Sequence, residues 1–243
     1  MFQKLGQLFA RDSAFPMPKP DAPICVVGDV HGCLSLLEQL LQKIPQDHQV
    51  ILAGDYIDRG EQSAGVLRAL SVRTDVMCLM GNHEEMLLRF LLKGAEEGGR
   101  WIHNGGLETL VSFGLGSANL HMSKEELNAC RDALMTEMGA PMVAWLADLE
   151  SAALTGNVLV SHAGANPHKA PNVQSKDALR WGHPDFLRSP RKDGIWVVHG
   201  HTIVKQARAE RGRIAVDTGA YASGVLSAVC LDGGPPRFIT AQL

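Results

Sequence analysis

The sequence predicts an α/β fold in which sheets and helices pack as a sandwich. Short apolar runs that end in Gly-Asp or Gly-Asn alternate with apolar residues at helical spacing in the first third of the chain. Further apolar runs near the C-terminus indicate a second set of strands, and a long helical stretch separates the two sets. Because strands alternate with helices at the start, parallel strands joined by crossover helices are expected there.

Length and composition indicate an ordinary folded protein. The chain has 243 residues, 45% of them hydrophobic and 20% charged, close to the average for globular domains. A net charge of -3 provides no general electrostatic footprint for nucleic acid or an anionic membrane, so no nucleic-acid partner is expected. No segment approaches the roughly 20 apolar residues of a membrane span. Residues 1–10 lack the apolar stretch of a signal peptide, which predicts a cytoplasmic location.

The five cysteines are scattered, without a C-x-x-C pair, and three lie in or beside apolar runs. We expect reduced thiols for all of them: Cys25, Cys33, Cys78, Cys130 and Cys230.

Four prolines between residues 16 and 23 exclude a regular helix there, so residues 1–23 are predicted to form an N-terminal arm and residues 24–243 the folded domain. Within the domain, a helical insertion is predicted at about residues 85–155. Strands are predicted at residues 24–27, 50–53, 76–80, 158–160, 195–198, 214–216 and 225–231. The last two resemble antiparallel edge strands of a second sheet. Oligomeric state is left open.

Polar residues of a similar kind follow five of these strands. Because the carboxyl ends of parallel strands face one crevice, their side chains are expected to converge there. Carboxylate, amide and imidazole groups together suit Mn, Fe or Zn better than Ca or Mg. The residues are Asp29, His31, Asp55, Asn82, His83, His162 and His201.

The blocks G-D-x-H-G, G-D-x-x-D-R-G and G-N-H-E, followed by distant single histidines, resemble the phosphoprotein phosphatase family of calcineurin-like metallophosphoesterases. The bacterial and bacteriophage serine/threonine protein phosphatases are the most similar members. The blocks span residues 28–201, most of the folded chain. The resemblance implies a four-layered β-sandwich flanked by helices, two divalent metal ions, and direct attack of metal-bound hydroxide on a phosphate ester.

The resemblance also implies a ligand set for those two ions. Asp29 and His31 would bind one metal, Asp55 would bridge both, and the remaining three ligands, Asn82, His162 and His201, would bind the other. A carboxylate shared by two dications relieves their mutual repulsion, and neutral ligands hold the second ion without excess charge. Mn is the expected metal, with Fe or Zn as alternatives.

Three further residues match the catalytic positions of the family. His83 resembles its general acid, which protonates the leaving alkoxide, and Asp58 would keep the imidazole protonated. Arg59 would bind the phosphate oxygens through its planar fork.

One position departs from the bacterial pattern, which commonly places a second phosphate-binding arginine two residues after a tryptophan. Here His183 stands at that position. Arg180 is the preferred replacement, and Arg188 or His183 itself are the alternatives. Tyr221, which follows a late strand, is a further candidate for substrate contact, with a buried phenol as the alternative.

The plainer interpretation is preferred at two other positions. Glu84 is read as an acid that complements the dipole of a helix, and Trp101 as core or insertion packing. His199 is assigned a supporting role near substrate or water, with core packing as the alternative.

These observations predict a metal-dependent phosphatase that acts on phosphoserine or phosphothreonine, with phosphotyrosine and phosphohistidine as further targets. The predicted partner is a phosphoprotein or a phosphorylated small molecule. The alternatives are a symmetrical diadenosine tetraphosphate hydrolase and a catalytically silent metal-binding module.

Overall fold

Two five-stranded mixed sheets form the centre of the molecule in the computed structural model, which describes residues 15–243. The first sheet has the order β10-β9-β1-β2-β3, with β1 at Ile24–Val27, β2 at Gln49–Leu52, β3 at Val76–Cys78, β9 at Val225–Leu231 and β10 at Arg237–Gln242. The second has the order β4-β5-β6-β8-β7, with β4 at Ala152–Thr155, β5 at Val158–Ser161, β6 at Trp196–His199, β7 at Arg208–Glu210 and β8 at Arg213–Ala215.

Helices cover the first sheet and fill the segment between the sheets. Their bounds are α1 Leu34–Leu41, α2 Ser63–Ser71, α3 Asn82–Lys93, α4 Ala95–Trp101, α5 Leu107–Ser112, α6 Lys124–Ala147, α7 Lys176–Arg180 and α8 Ala220–Ser223. A π-helical turn at Ile102–Gly106 joins α4 to α5, and a short 3-10 helix lies at Pro171–Val173. Within residues 15–243 no helix is both long and apolar enough to cross a bilayer.

Side chains alternate between the two faces of each sheet. As a result, apolar side chains form three separate packed layers, one between the sheets and one on the outer face of each sheet. Val26 and Ile51 point toward the second sheet and pack with Val160 and Val198. The opposite face of the first sheet packs against α1, α2 and the helices of the insertion. Leu179 and Phe186 help to cover the outer face of the second sheet. The predicted α/β sandwich of two sheets and flanking layers is therefore confirmed.

Of the last two predicted strands, only β8 lies in the second sheet, and the expectation that both are edge strands is wrong. β9 lies inside the first sheet, antiparallel to both β1 and β10, and all but its first residue are buried. β8 lies between β6 and β7 in the second sheet. A strand with apolar residues on both faces is expected at the centre of a sheet. The sequence of β9 is apolar on both faces and is consistent with this central position.

The segment before β1 packs against the second sheet from Phe15 onward. The Trp196 ring lies edge-on to Phe15, with centroids 5.2 Å apart. The Asn157 side chain accepts from the Lys19 backbone N–H at 2.6 Å and donates to the Met17 carbonyl oxygen at 3.0 Å. The rest of the predicted arm, residues 1–14, lies outside the described residues.

Cys25 and Cys230 are joined by a disulfide, so the expectation of reduced thiols is wrong for these two. They are direct partners in the antiparallel β1–β9 pair, with Cα atoms 4.1 Å apart. Because they are 205 residues apart in sequence, only the pairing of the strands brings them together. Cys33, Cys78 and Cys130 are free thiols.

The helices of the insertion share one apolar core with α1, α2 and the first sheet, and the contribution of this core to stability can be tested. Leu134 on α6 is fully buried, whereas Leu92 on α3 is 79% exposed. We expect Leu134→Ala to lower the free energy of unfolding by roughly 2–5 kcal/mol, since a cavity replaces packed methyl groups. Leu92→Ala should change it by less than about 0.5 kcal/mol. Urea unfolding monitored by circular dichroism measures both, and equal losses would contradict the packing described.

Candidate active site

The six predicted metal ligands meet at the edge where the carboxyl ends of β1, β2, β5 and β6 and the start of α3 come together. Five of them are at most 5% exposed, and the sixth, His201, is partly buried. Ligand-type atoms gather in two groups that share Asp55, each with all its atoms within 4.8 Å of one another. The groups are His31, Asp55 and His83, and Asp55, His162 and His201.

Backbone conformation helps to aim these side chains. Five non-glycine residues of the site have positive φ angles, which L-residues rarely adopt outside strained turns. They include two predicted ligands in the first sheet's loops, His31 at φ 42° and Asp55 at φ 54°. The others are Asp58, Arg59 and His201. Such strain concentrated in one place is typical of a functional site.

The second group has the donor geometry of a cation site. His162 Nε2 lies 2.8 Å and His201 Nδ1 2.9 Å from the same Asn82 Oδ1, and the two nitrogens are 3.2 Å apart. Asp55 Oδ2 lies 3.3 Å from His162 Nε2. Two imidazole nitrogens, an amide oxygen and a carboxylate oxygen thus converge, an arrangement that a divalent cation would satisfy.

The first group is oriented by contacts behind the ligands. His31 Nδ1 faces the Ile57 carbonyl oxygen at 2.7 Å, so Nδ1 carries the hydrogen and Nε2 keeps a lone pair. Burial lowers the pKa of His31 to about 3, which leaves the imidazole neutral, as a metal ligand must be. Asp29 receives the His201 backbone N–H at 3.0 Å.

Carboxyl groups are crowded together in the buried part of this site. Burial and then the nearby Asp217 carboxylate raise the pKa of Asp29 well above its usual value. Asp217, which lies two residues after the end of β8, is itself 2% exposed. Clustered buried carboxylates are stabilised by bound cations, so the donor set fits divalent metal ions.

Glu84 lies in the first turn of α3, as expected, and it is also a buried part of this site. It is fully buried, and its carboxylate accepts backbone N–H groups from Asp55 and Gly81 through Oε2 and from Tyr56 through Oε1. Burial, followed by the charge of Asp55, raises the pKa of Glu84 to about 7. The three hydrogen bonds fix the loop that presents Asp55.

His83 has one ring nitrogen bound and the other directed into the cluster. Its Nδ1 lies 2.6 Å from Asp58 Oδ2, and its Nε2 lies 3.8 Å from Asp55 Oδ2. Burial by itself lowers the pKa of His83, but the charge of Asp55 and the hydrogen bond and charge of Asp58 outweigh it and raise the pKa. A protonated imidazole with a free Nε2–H can donate a proton in this position.

Two insertion residues hold Asp58 and were missed in the sequence. Trp101 Nε1 donates to both carboxylate oxygens of Asp58, at 3.1 and 2.9 Å, and the Thr109 hydroxyl donates to Oδ1 at 2.7 Å. The Asp58 backbone N–H in turn reaches Thr109 Oγ1 and Ser63 Oγ, each at 3.0 Å. Trp101 and Thr109 lie 43 and 51 residues from Asp58, so no local signal could have revealed the contacts.

Trp101→Phe should therefore impair catalysis while leaving metal binding intact. The change keeps most of the ring and removes the indole N–H that orients the Asp58 carboxylate. We expect kcat/KM for a phosphate ester to fall about tenfold, the equivalent of about 1.4 kcal/mol, within the range for hydrogen bonds to charged groups. Trp145→Phe, which changes a tryptophan near Tyr56, is the control. Equal activity of both variants with wild type would show that the Trp101 hydrogen bond has no catalytic effect.

Arg59 and Tyr221 lie together beside the first group. The Arg59 guanidinium stacks 5.1 Å above the centroid of the Tyr221 ring, and its Nη1 lies 2.9 Å from His31 Nε2. Tyr221 is 39% exposed, so the phenol is at the surface of the site. The Arg59 backbone N–H donates to the Gly105 carbonyl oxygen in the insertion at 3.1 Å.

The candidates for a second phosphate-binding group lie elsewhere. The Arg180 guanidinium is buried and donates to Ser151 Oγ at 2.9 Å and Glu85 Oε2 at 3.3 Å. His183 Nδ1 accepts the backbone N–H of Asp185 at 3.2 Å. Among residues 15–243, no hydrogen bond or ion pair links Arg180, His183 or Arg188 to the clustered ligands. Their role in phosphate binding stays a prediction.

The fold and this site define a metallophosphoesterase. The sequence profile of the calcineurin-like phosphoesterase family matches residues 22–205. The chain belongs to this family, and it is accordingly a metal-dependent phosphatase.

Relatives carry different substrate names. The chain is 26% identical to the asymmetrical bis(5'-nucleosyl)-tetraphosphatase PrpE of Oceanobacillus iheyensis, over 84% of this chain and 87% of the relative. It is 27% identical to serine/threonine-protein phosphatase 2 of Salmonella typhimurium, over 84% and 90%. A crystal structure provisionally assigned as a diadenosine tetraphosphatase superposes with a TM-score of 0.65 at 21% identity, covering 93% of this chain and 96% of that one. The last likeness supports the fold alone.

Proposed function

We propose that this protein hydrolyses phosphoserine and phosphothreonine monoesters with two divalent metal ions. The observation that carries the proposal is the contact between His83 and Asp58. It occupies Nδ1 of the imidazole and leaves Nε2 near the shared Asp55 carboxylate. A general acid is most useful for esters whose leaving group is a poor one, such as the alkoxide of serine or threonine.

Each residue has a defined part in this reaction. Asp29, His31 and Asp55 would hold one ion, and Asp55, Asn82, His162 and His201 the other. The ions, with Mn expected and Fe or Zn as alternatives, supply Lewis acidity toward water and phosphate.

The remaining side chains act on the ester itself. Arg59, already at the first group, would bind two phosphate oxygens through its fork and stabilise charge as the ester bond breaks. His83 delivers the proton on Nε2 to the leaving oxygen. Asp58, held by Trp101 and Thr109, keeps that imidazole protonated and in place.

Asymmetrical hydrolysis of dinucleoside tetraphosphates is the second candidate function. Similarity to PrpE over most of both chains favours it. No observation favours symmetrical cleavage over asymmetrical cleavage. The silent-module alternative has little support, because Asp58, His83 and Arg59 are all present and in contact with the cluster or with one another.

Phosphate release from a phosphoserine peptide, with and without Mn, tests the proposal. Diadenosine tetraphosphate should be assayed in parallel, with its products separated by anion-exchange chromatography. Metal-dependent release from the peptide supports the proposed function. AMP and ATP formed from the dinucleotide, without peptide hydrolysis, would establish the second candidate, and two ADP molecules would establish symmetrical cleavage. Intact substrates in the presence of bound metal would contradict both functions.

A further inference from the structure

The outward face of the second sheet carries a pocket of about 250 Å³ that has no part in the reaction described above. Strands β6, β8 and β7 form its floor, and the register of their pairing decides which side chains line it. His199, Ala215 and Arg208 form one row across the three strands, and Arg213 and Glu210 belong to the next row. We name this the arginine pocket.

The row that contains His199 is the one closer to the predicted metal ligands. His201 follows two residues later, so the Cα atoms of the two histidines are at most roughly 7 Å apart along the chain. Thr202 lines the pocket and directly follows His201. One short turn, residues 200–202, therefore joins the arginine pocket to the predicted ligand His201.

Positive charge dominates the arginine pocket. Arg208, Arg211 and Arg213 bring three guanidinium groups against one carboxylate, that of Glu210. Glu210 lies 3.8 Å from Arg208 and 3.7 Å from Arg211, but these side chains are more than half exposed and such pairs bind weakly. Arginine forks match phosphate oxygens in geometry as well as in charge.

Two residues of the arginine pocket are already held in place. The Arg213 Nη1 donates to the Phe186 carbonyl oxygen at 2.9 Å, which orients the guanidinium. His199 packs edge-on against the Phe186 ring, with centroids 4.8 Å apart, and is only 2% exposed.

The His199 imidazole has an unused polar atom. Its Nδ1 lies 2.9 Å from the Gly200 carbonyl oxygen, which can only accept, so Nδ1 carries the ring hydrogen. Among residues 15–243, the hydrogen bond of the His199 ring is the one made by Nδ1, and the opposite nitrogen, Nε2, makes none. A ligand that offers both anionic oxygens to the arginines and one hydroxyl hydrogen to Nε2 would satisfy the pocket, and a partly protonated phosphate does so.

We propose that the arginine pocket binds a second phosphate group of a small-molecule substrate whose first phosphate lies at the metal ligands. This inference rests on the phosphatase activity proposed for those ligands, and it favours the second candidate substrate class, compounds with linked phosphates such as a dinucleoside polyphosphate.

Isothermal titration calorimetry with two phosphonates tests this pocket separately from hydrolysis. Methylenediphosphonate offers two linked anionic groups and cannot be cleaved at its bridge, whereas methylphosphonate offers one. The Mn-loaded full chain is compared with the double variant Arg208→Gln/Arg213→Gln. The matched control, Arg73→Gln/Arg237→Gln, removes two arginines that pair with Asp75 and Asp232 at the surface.

We expect the Kd of methylenediphosphonate to rise at least about tenfold in the pocket variant, because two charge-assisted contacts are lost. The Kd of methylphosphonate, and both values in the control, should stay unchanged. Equal Kd values for methylenediphosphonate in wild type and pocket variant would overturn the proposal. A triglutamate peptide provides a second test. The proposal would also be overturned if this peptide bound wild type as tightly as methylenediphosphonate and bound the pocket variant more weakly, since the pocket would then recognise acidic peptides.

Hydrolysis of p-nitrophenyl phosphate by the same proteins separates the two claims. This ester has a single phosphate, so the pocket variant should cleave it with unchanged kcat and KM. A wild-type protein that cleaves no phosphate ester would contradict the proposed function, and the calorimetry would still decide whether the arginine pocket binds linked phosphates.

Discussion

Asp55→Asn is expected to abolish most phosphate-ester hydrolysis and to reduce bound metal. Asp55 is the carboxylate common to both groups of ligand atoms, so the variant loses the negative charge that two dications would share. We expect kcat to fall by roughly three orders of magnitude, since transition-state charge stabilisation and metal content decline together. Steady-state kinetics and inductively coupled plasma mass spectrometry of the purified protein measure the two effects.

Asp47→Asn is the control for this substitution. Asp47 is an exposed aspartate that also contacts a histidine, His48, but lies outside the site. Its replacement should leave kcat and metal content unchanged. If Asp55→Asn retained two metal ions and full activity, Asp55 could not be the shared ligand.

His83→Asn should produce a loss that depends on the leaving group. The variant lacks the proton donor at Nε2, and an alkoxide leaves poorly without protonation. We expect kcat for a phosphoserine peptide to fall about 10²–10⁴-fold, the usual contribution of general acid catalysis. Hydrolysis of p-nitrophenyl phosphate, whose phenolate leaves readily, should fall far less. Comparison of kcat for the two esters measures the difference.

Metal content and a second histidine provide the controls. His83→Asn should keep its bound metal, because His83 is not among the six predicted ligands. His121→Asn changes an exposed histidine of the insertion and should behave as wild type. Equal losses on both esters would indicate that His83 supports the site structurally and does not act as the acid.

Local sequence patterns were sufficient for most of the fold. Strands β1, β5 and β6 are buried along their whole length and are apolar apart from Ser161 and His199. Each is followed by polar residues that reach the site. A strand that is buried on both faces has a strong local signal. The neighbours of β9 could not be read in this way, because the partner of a strand depends on how distant segments meet.

The candidate site shows the same division. The types and order of Asp29, Asp55 and Asn82 follow from motifs within a few residues of a strand end. The burial of Glu84 depends on contacts with residues some 28 positions away, and a helix-start acid looks the same in sequence whether it is solvated or buried. The disulfide between Cys25 and Cys230 was hidden for the same reason.

The sequence by itself determined the family, the sandwich of strands and helices, and the residues that gather at one edge of the sheets, because strand periodicity and short motifs are local properties. Only the tertiary structure decided that Trp101 and Thr109 hold Asp58, that Arg180 is bound by Glu85, and that three arginines share a pocket with His199. Such contacts join residues that are far apart along the chain. Their hydrogen bonds and ion pairs become strong only in the folded protein, where packing excludes water from between the partners.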